Sequence, residues 1–478
     1  MHSNRRILST LFVITLIACL GISVLTLVGV VVLRNAGLSF TQATDSPFPT
    51  ATRAISTLRP PSLSPTQTSE PTAQASLPPE IAAQMDRIEQ QVIHIRGLQP
   101  SSPLHRELLT TAQLRQKVID DFLKDYTPQE VTKDVTTLFL FGLLPRNYDL
   151  YTLLRDLYTE QIAGFYDDET KTMYIIQDEA FLGPQRSTYA HEYTHALQDQ
   201  TFDFRGRLGI KDETCELQSE YCAAVQSLIE GDASLTEQFW LLNAASPEDR
   251  QQIQEFYQSY QSPIFDSAPE FLQQDFLFPY RQGLDFVLNL YQKGRWASIN
   301  AAFERPPLST EQILHPEKYP GDAPLEVNLP ELSAALPEYM LFDEGEVGEW
   351  YIYLILAYAD LRTARLPDEV ASKAATGWGG DTYQVWRNAQ SGDLFLLLTI
   401  RWDTEKDAEE FYNAFQQYGE KRWGTPVLAT TSETRWGMPS GDQSLLIRDQ
   451  AQTVWIFGNE AEAVRRVQAL IRSVLPQP

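Results

Sequence analysis

The chain is predicted to be an α+β protein, with a mostly helical first part that carries one short β-hairpin, a smaller α+β domain behind it, and a membrane-spanning helix at the amino end. Three observations carry this expectation. Apolar residues recur at three and four spacing through most of residues 80 to 160, the pattern of amphipathic helices. After about residue 345 the pattern turns to alternating segments between helices, and seven of the nine tryptophans fall there: Trp350, Trp378, Trp386, Trp402, Trp423, Trp436 and Trp455. Ile7 to Leu33 holds 27 residues without a charge.

That first run, as a helix, would extend about 40 Å against a hydrocarbon core of about 30 Å. Arg5 and Arg6 precede it, so the positive-inside tendency leaves residues 1–6 in the cytoplasm and the bulk of the chain outside, anchored to the cell membrane by one pass over residues 7–33. A cleaved signal peptide is the main rival, although no small-x-small site stands before Arg34. Lipidation is a third reading, because Leu16-Ile17-Ala18-Cys19 mimics a lipoprotein box. Residues 34–80 read as a stalk, since eight prolines between Pro47 and Pro79, set among Ser, Thr, Ala and Gln, favour extended chain over a core. The rest suffices for two domains, 81–340 and 341–478.

In the first domain the spacing predicts helices near Glu80–Leu98, Leu104–Lys124, Pro128–Leu143 and Asp149–Glu160. Residues 161–176 read as two short strands joined by an acidic turn, just before a further helix. In the second domain a helix near Glu344–Arg365 is followed by strands near Thr382–Arg387 and Leu394–Trp402 and a helix from Thr404 to about Lys421. Strands near Gln443–Arg448 and Thr453–Gly458 and a last helix over Ala461–Val474 close the chain. The tryptophans fit core packing better than a ligand groove.

With 63 acidic against 38 basic residues the net charge is -25, which argues against nucleic acid or an anionic surface as partner. Cys215 and Cys222 are left to pair outside the cytoplasm once Cys19 is placed in the span. On one continuous helix they would lie about 10 Å apart, so a bridge requires the helix to begin after Cys215.

Residues 191 to 195 read His191-Glu192-Tyr193-Thr194-His195. On a helix, positions i and i+4 share a face, so both imidazoles can reach one metal while Glu192 reaches a water beside it. That is the chemistry of a zinc hydrolase, with Glu192 as general base. A catalytic zinc takes a third protein ligand, and the best candidate is Glu230, in an apolar helical stretch where a lone carboxylate would be costly to bury. Glu220, and less directly Glu216, are nearer alternatives, and a structural salt bridge is another. A third histidine at the HExxHxxGxxH position is missing, which argues against the metzincins. For an oxyanion donor His315 stands first, with Tyr280 and Arg281 behind it. Asp199 and Asp232 could orient ligand imidazoles.

Ala190 to Gln200, together with Ile229 to Ala233, resembles the gluzincin class of metallopeptidases, and in particular a group of bacterial surface proteins with an HExTHALQDQ helix and a later EGDA segment. The run Pro306 to Tyr319 resembles a segment of the same group, so the likeness spans roughly residues 81 to 320. It implies a zincin-like catalytic domain in which His191, His195 and Glu230 hold Zn2+ and Glu192 is the base. The expected activity is therefore a membrane-anchored zinc peptidase acting on a peptide or protein outside the cytoplasm. A silent metallopeptidase-fold binding protein and a cell-wall peptide hydrolase are the alternatives.

Overall fold

The computed structural model describes residues 77–474 apart from 125, 163 and 177–179. The expected cytoplasmic tail, membrane helix and most of the stalk lie outside those residues. Among the described residues no helix is long and apolar enough to cross a membrane.

From the amino end run α1 (Pro79–Arg96), β1 (His105–Leu109), α2 (Thr111–Lys117), α3 (Pro128–Phe141), α4 (Leu150–Gln161), β2 (Gly164–Asp167) and β3 (Thr172–Ile176). They are followed by α5 (Gly183–Phe202), α6 (Asp212–Cys215), α7 (Ser219–Asn243), α8 (Pro247–Ser259), α9 (Pro263–Ser267), α10 (Glu270–Glu304) and α11 (Thr310–Leu314). The remainder comprises β4 (Tyr339–Gly345), α12 (Gly348–Ala357), α13 (Asp368–Ala375), β5 (Trp378–Asn388), β6 (Leu394–Trp402) and α14 (Glu405–Trp423). It ends with β7 (Leu428–Ala429), β8 (Glu433–Gly437), β9 (Gln443–Asp449), β10 (Gln452–Gly458) and α15 (Ala461–Val474). The architecture is α+β, as expected, with a largely helical first part and a seven-stranded sheet in the second.

Local chemistry explains many of the ends. Proline opens α1 and α3, Thr127 and Glu130 form a reciprocal capping box on α3, and Gly97 and Gly142 take the left-handed conformation that stops those two helices. The expected hairpin forms as β2 and β3, its turn held by Asp167, whose carboxylate accepts from the Glu169 and Thr170 amides. A third strand joins it. Residues 105–109 were expected to be helical, but they lie parallel to β3 in register from His105–Thr172 to Leu109–Ile176, and the expected helix starts only at Thr111, running as α-helix to Lys117 and on as a π-helix over Val118–Phe122. The gain of a ladder with a distant partner outweighs local helical spacing there.

In the larger sheet the order is β4-β5-β6-β10-β9-β8-β7, every pair antiparallel. The helix expected over Glu344–Arg365 is shorter, because Tyr339–Gly345 pairs with β5 and the helix starts only at Gly348. Both faces of the sheet are buried, with period-two alternation. Leu396, Leu398, Trp455 and Phe457 face the core shared with the helical part, while Phe395, Leu397, Val454 and Ile456 pack on α15 and the segment around Leu332 and Leu336. Trp350, Trp378, Trp386, Trp402, Trp436 and Trp455 are all buried in packing, the role expected of them.

The disulfide joins Cys215 to Cys222 with Cα atoms 5.5 Å apart, and it satisfies the geometric condition: α6 ends at Cys215 and α7 begins at Ser219. The long helices α7 and α10 then cross backbone to backbone. A methyl group on Gly231 would stand 2.2 Å from the Gly283 carbonyl oxygen, and one on Gly283 would stand 2.2 Å from that of Ser227. Gly231→Ala is therefore expected to cost about 1–3 kcal/mol by forcing the helices apart, and to displace its neighbour Glu230. Urea unfolding of the variant measures the cost, and an unchanged midpoint would contradict the close crossing.

Candidate metal centre

α5 is buried along nearly its whole length, enclosed by α1, α7, α8 and β2. A helix covered on every side can carry charge only where each charge finds a partner. Its His191 and His195 stand one turn apart, ring centroids 4.8 Å from each other, and face Glu230 of α7. Among the described residues these three form the group whose nitrogen and oxygen atoms converge closely enough to hold a metal ion. His191 Nε2 lies 3.2 Å and His195 Nε2 3.5 Å from Glu230 Oε2. Ligands of a tetrahedral zinc at about 2.0–2.1 Å stand about 3.3 Å apart, so the donor set and its spacing fit that ion. All three side chains are buried.

The imidazoles are held from behind. His191 Nδ1 is 3.2 Å from Glu237 Oε2, and the other Glu237 oxygen accepts from Ser187 Oγ at 2.7 Å. His195 Nδ1 is 2.9 Å from Gln198 Oε1. Both rings thus spend their Nδ1 protons outward, which leaves Nε2 facing Glu230.

Glu192, the residue after His191 along α5, is near enough to both imidazoles and to Glu230 to interact with their charges. Its Oε2 accepts from the Tyr166 backbone N–H of the edge strand β2 at 3.0 Å, while its Oε1 is buried without a hydrogen-bond partner. A buried carboxylate oxygen left open beside two imidazoles is the second observation that fits a metal and its water. Burial pushes the Glu192 carboxyl up to about 7, against the opposing pull of His195 and His191. Burial opposes a charge on His191, but the hydrogen bonds to Glu230 and Glu237 overcome it and lift that ring to about 10. His195 is also raised, with burial outweighed by the charge of Glu230. Burial would raise Glu230, yet attraction to His195 and the bond from His191 hold it down at about 2.

The other residues singled out in the sequence fall elsewhere. Glu220 accepts from the Thr310 N–H and hydroxyl, each at 2.8 Å, at the start of α7. It stands ten positions before Glu230, about 15 Å along the helix. Glu216 precedes α7 altogether. His315 gathers at that same remote end, its Nε2 2.8 Å from Glu349 Oε1 of α12. Arg281 is exposed, whereas the Tyr280 ring lies 6.5 Å from that of His191. Asp199 binds Tyr166 Oη, the Lys171 ammonium and the Phe204 N–H rather than an imidazole. Asp232 reaches His195 only through Gln198. Sequence reasoning missed Glu237, Gln198 and Tyr166. The first two carry a signal that could have been read, since Glu237 is seven positions after Glu230 and Gln198 three after His195, each on the helix face of a metal-site residue of its own helix.

Residues 339–468 match the family model described as a domain of unknown function (DUF8575), a span that covers the seven-stranded sheet and most of α15 and leaves the metal centre outside it. No curated protein and no solved structure matches the chain.

Proposed function

We propose that the chain is a membrane-anchored, gluzincin-like zinc peptidase that hydrolyses peptide bonds of a protein or peptide substrate outside the cytoplasm. The observation that carries this reading is the convergence of His191 Nε2, His195 Nε2 and Glu230 Oε2 beside the unpartnered Oε1 of Glu192. His191, His195 and Glu230 would hold Zn2+. When bound, the ion supplies a Lewis acid that lowers the pKa of a water and polarises a carbonyl oxygen. Glu192 Oε1 would take a proton from the water as its oxygen adds to the scissile carbonyl carbon, and would give that proton to the amine nitrogen as the C–N bond breaks, while the Tyr166 N–H on Oε2 keeps the carboxylate aimed. Of the oxyanion donors considered, Tyr280 has the best placement, beside His191.

Burial of all four residues also favours a second reading, in which the ion is a structural clamp in a binding protein, because structural zinc sites are closed. The two readings share the metal. It is tested by proton linkage: His191, charged below about pH 10 in the metal-free chain, must lose its proton to bind zinc. Apparent zinc affinity is therefore expected to rise at least about tenfold per pH unit between about pH 6 and pH 8. Chelator competition at the two pH values measures this, and a flat profile would contradict the assignment of His191.

A further inference from the structure

We propose that Arg96 is a positioning residue for the His195 imidazole, acting through Asp232 and Gln198; the inference rests on the zinc reading of the site. Arg96 closes α1 and is wholly buried with Asp232 of α7, its Nε 2.7 and 3.0 Å from the two carboxylate oxygens. The same Asp232 Oδ2 accepts from Gln198 Nε2 at 2.8 Å, and that amide nitrogen also donates to the Ile229 carbonyl at 3.0 Å.

These two acceptors decide which way the Gln198 amide points. Turned over, it would set its oxygen against a carbonyl oxygen and a carboxylate, both repulsive. Held as it is, its Oε1 meets His195 Nδ1 at 2.9 Å, and the ring offers Nε2 toward Glu230. The path runs from guanidinium to carboxylate to amide to imidazole without a gap longer than an ordinary hydrogen bond.

The far end of the path is itself clamped. Arg96 donates its Nη2 to Asn300 Oδ1 at 2.7 Å, and the face of Trp296 lies 4.8 Å from the guanidinium carbon. Both partners come from the last stretch of α10, beyond a break where Arg295 takes φ 58° and ψ -149°, a conformation costly for any residue with a Cβ. The break turns Trp296 onto Arg96. A buried ion pair is weak evidence for stability alone, whereas a carboxylate shared between a guanidinium and the amide behind a ligand has a defined task.

The test measures zinc affinity by chelator competition on the full chain in wild type, Gln198→Leu, the paired replacement Arg96→Met with Asp232→Leu, and the triple variant. The paired replacement removes both buried charges together, so neither is stranded and the fold is expected to survive. It is expected to weaken zinc binding about 10- to 100-fold with far-ultraviolet circular dichroism unchanged, and Gln198→Leu to do the same. The triple variant should bind no more weakly than Gln198→Leu, because the losses lie on one path. Arg96→Lys, which keeps the charge on Asp232, should retain most of the affinity. Should the paired form fail to fold, the closer-sized pair Arg96→Gln with Asp232→Asn, alone and together with Gln198→Leu, makes the same comparison. Unchanged zinc affinity in the folded paired form, or losses that multiply in the triple form, would overturn the proposal and leave Arg96 and Asp232 a structural pair. A wild-type chain that binds no zinc is a separate result, which removes the zinc reading and the relay with it.

Discussion

Glu192→Gln is expected to abolish hydrolysis while leaving zinc in place. The amide is nearly the same size and can still accept from the Tyr166 N–H that pins one oxygen, so α5 and β2 have no reason to move. What the variant loses is the basic oxygen: the buried Oε1 that now has no hydrogen-bond partner would be an amide group unable to take a proton. General-base catalysis contributes about 10²- to 10⁴-fold, and a loss of at least that size is expected in kcat against an unstructured protein such as casein. Metal analysis of the same preparation shows whether the ion stayed. Hydrolysis that survives the change would mean that Glu192 is not the base. A chain that binds zinc but is equally inactive with and without the substitution would favour the clamp reading, and any binding activity should then persist in both forms.

Asp381→Ala should be among the most destabilising single changes in the chain. Asp381 of β5 is buried, and it accepts from the Val347 and Gly348 amides at 2.7 Å each and from Trp378 Nε1 at 2.7 Å. Burial pushes its carboxyl up to about 6, with the Gly348 and Val347 amides and the Trp378 indole pulling it back. The first two donors begin α12, the helix whose Trp350 and Tyr351 reach Asp275 of α10. Removing the carboxylate strands three buried donors, at on the order of 3–5 kcal/mol in total. It also frees the helix that couples the sheet to α10. Urea unfolding followed by tryptophan fluorescence measures the cost, Asp381→Asn should fall between wild type and Asp381→Ala, and a loss below about 1 kcal/mol would contradict the capping role.

How much of this was legible in the sequence depends on range. The spacing of His191 and His195 needs only a helix, and the helix forms; Glu230 needs a returning helix, and α7 returns. The hairpin of β2 and β3 and the strands β6, β9 and β10 announce themselves by alternation and turn residues. β1 did not, because its strand character comes from a partner more than sixty positions away rather than from its own pattern. β4 was hidden in the same manner by the helix it abuts. At the site, Glu237 and Gln198 sit on faces that periodicity could have singled out, but the Arg96 to Asp232 pair joins residues 136 positions apart and leaves no local mark. His315 is the opposite case: its setting in the sequence suggested chemistry, and the structure gives it Glu349 as partner.

The central claim is that His191, His195 and Glu230 hold one zinc ion. Elemental analysis of the purified full chain, set beside Glu230→Ala prepared identically, tests it most directly. About one zinc per chain, lost or strongly weakened in the variant, is the expected result. Zinc retained undiminished in Glu230→Ala, or no zinc in either protein even after it is supplied, would contradict the claim.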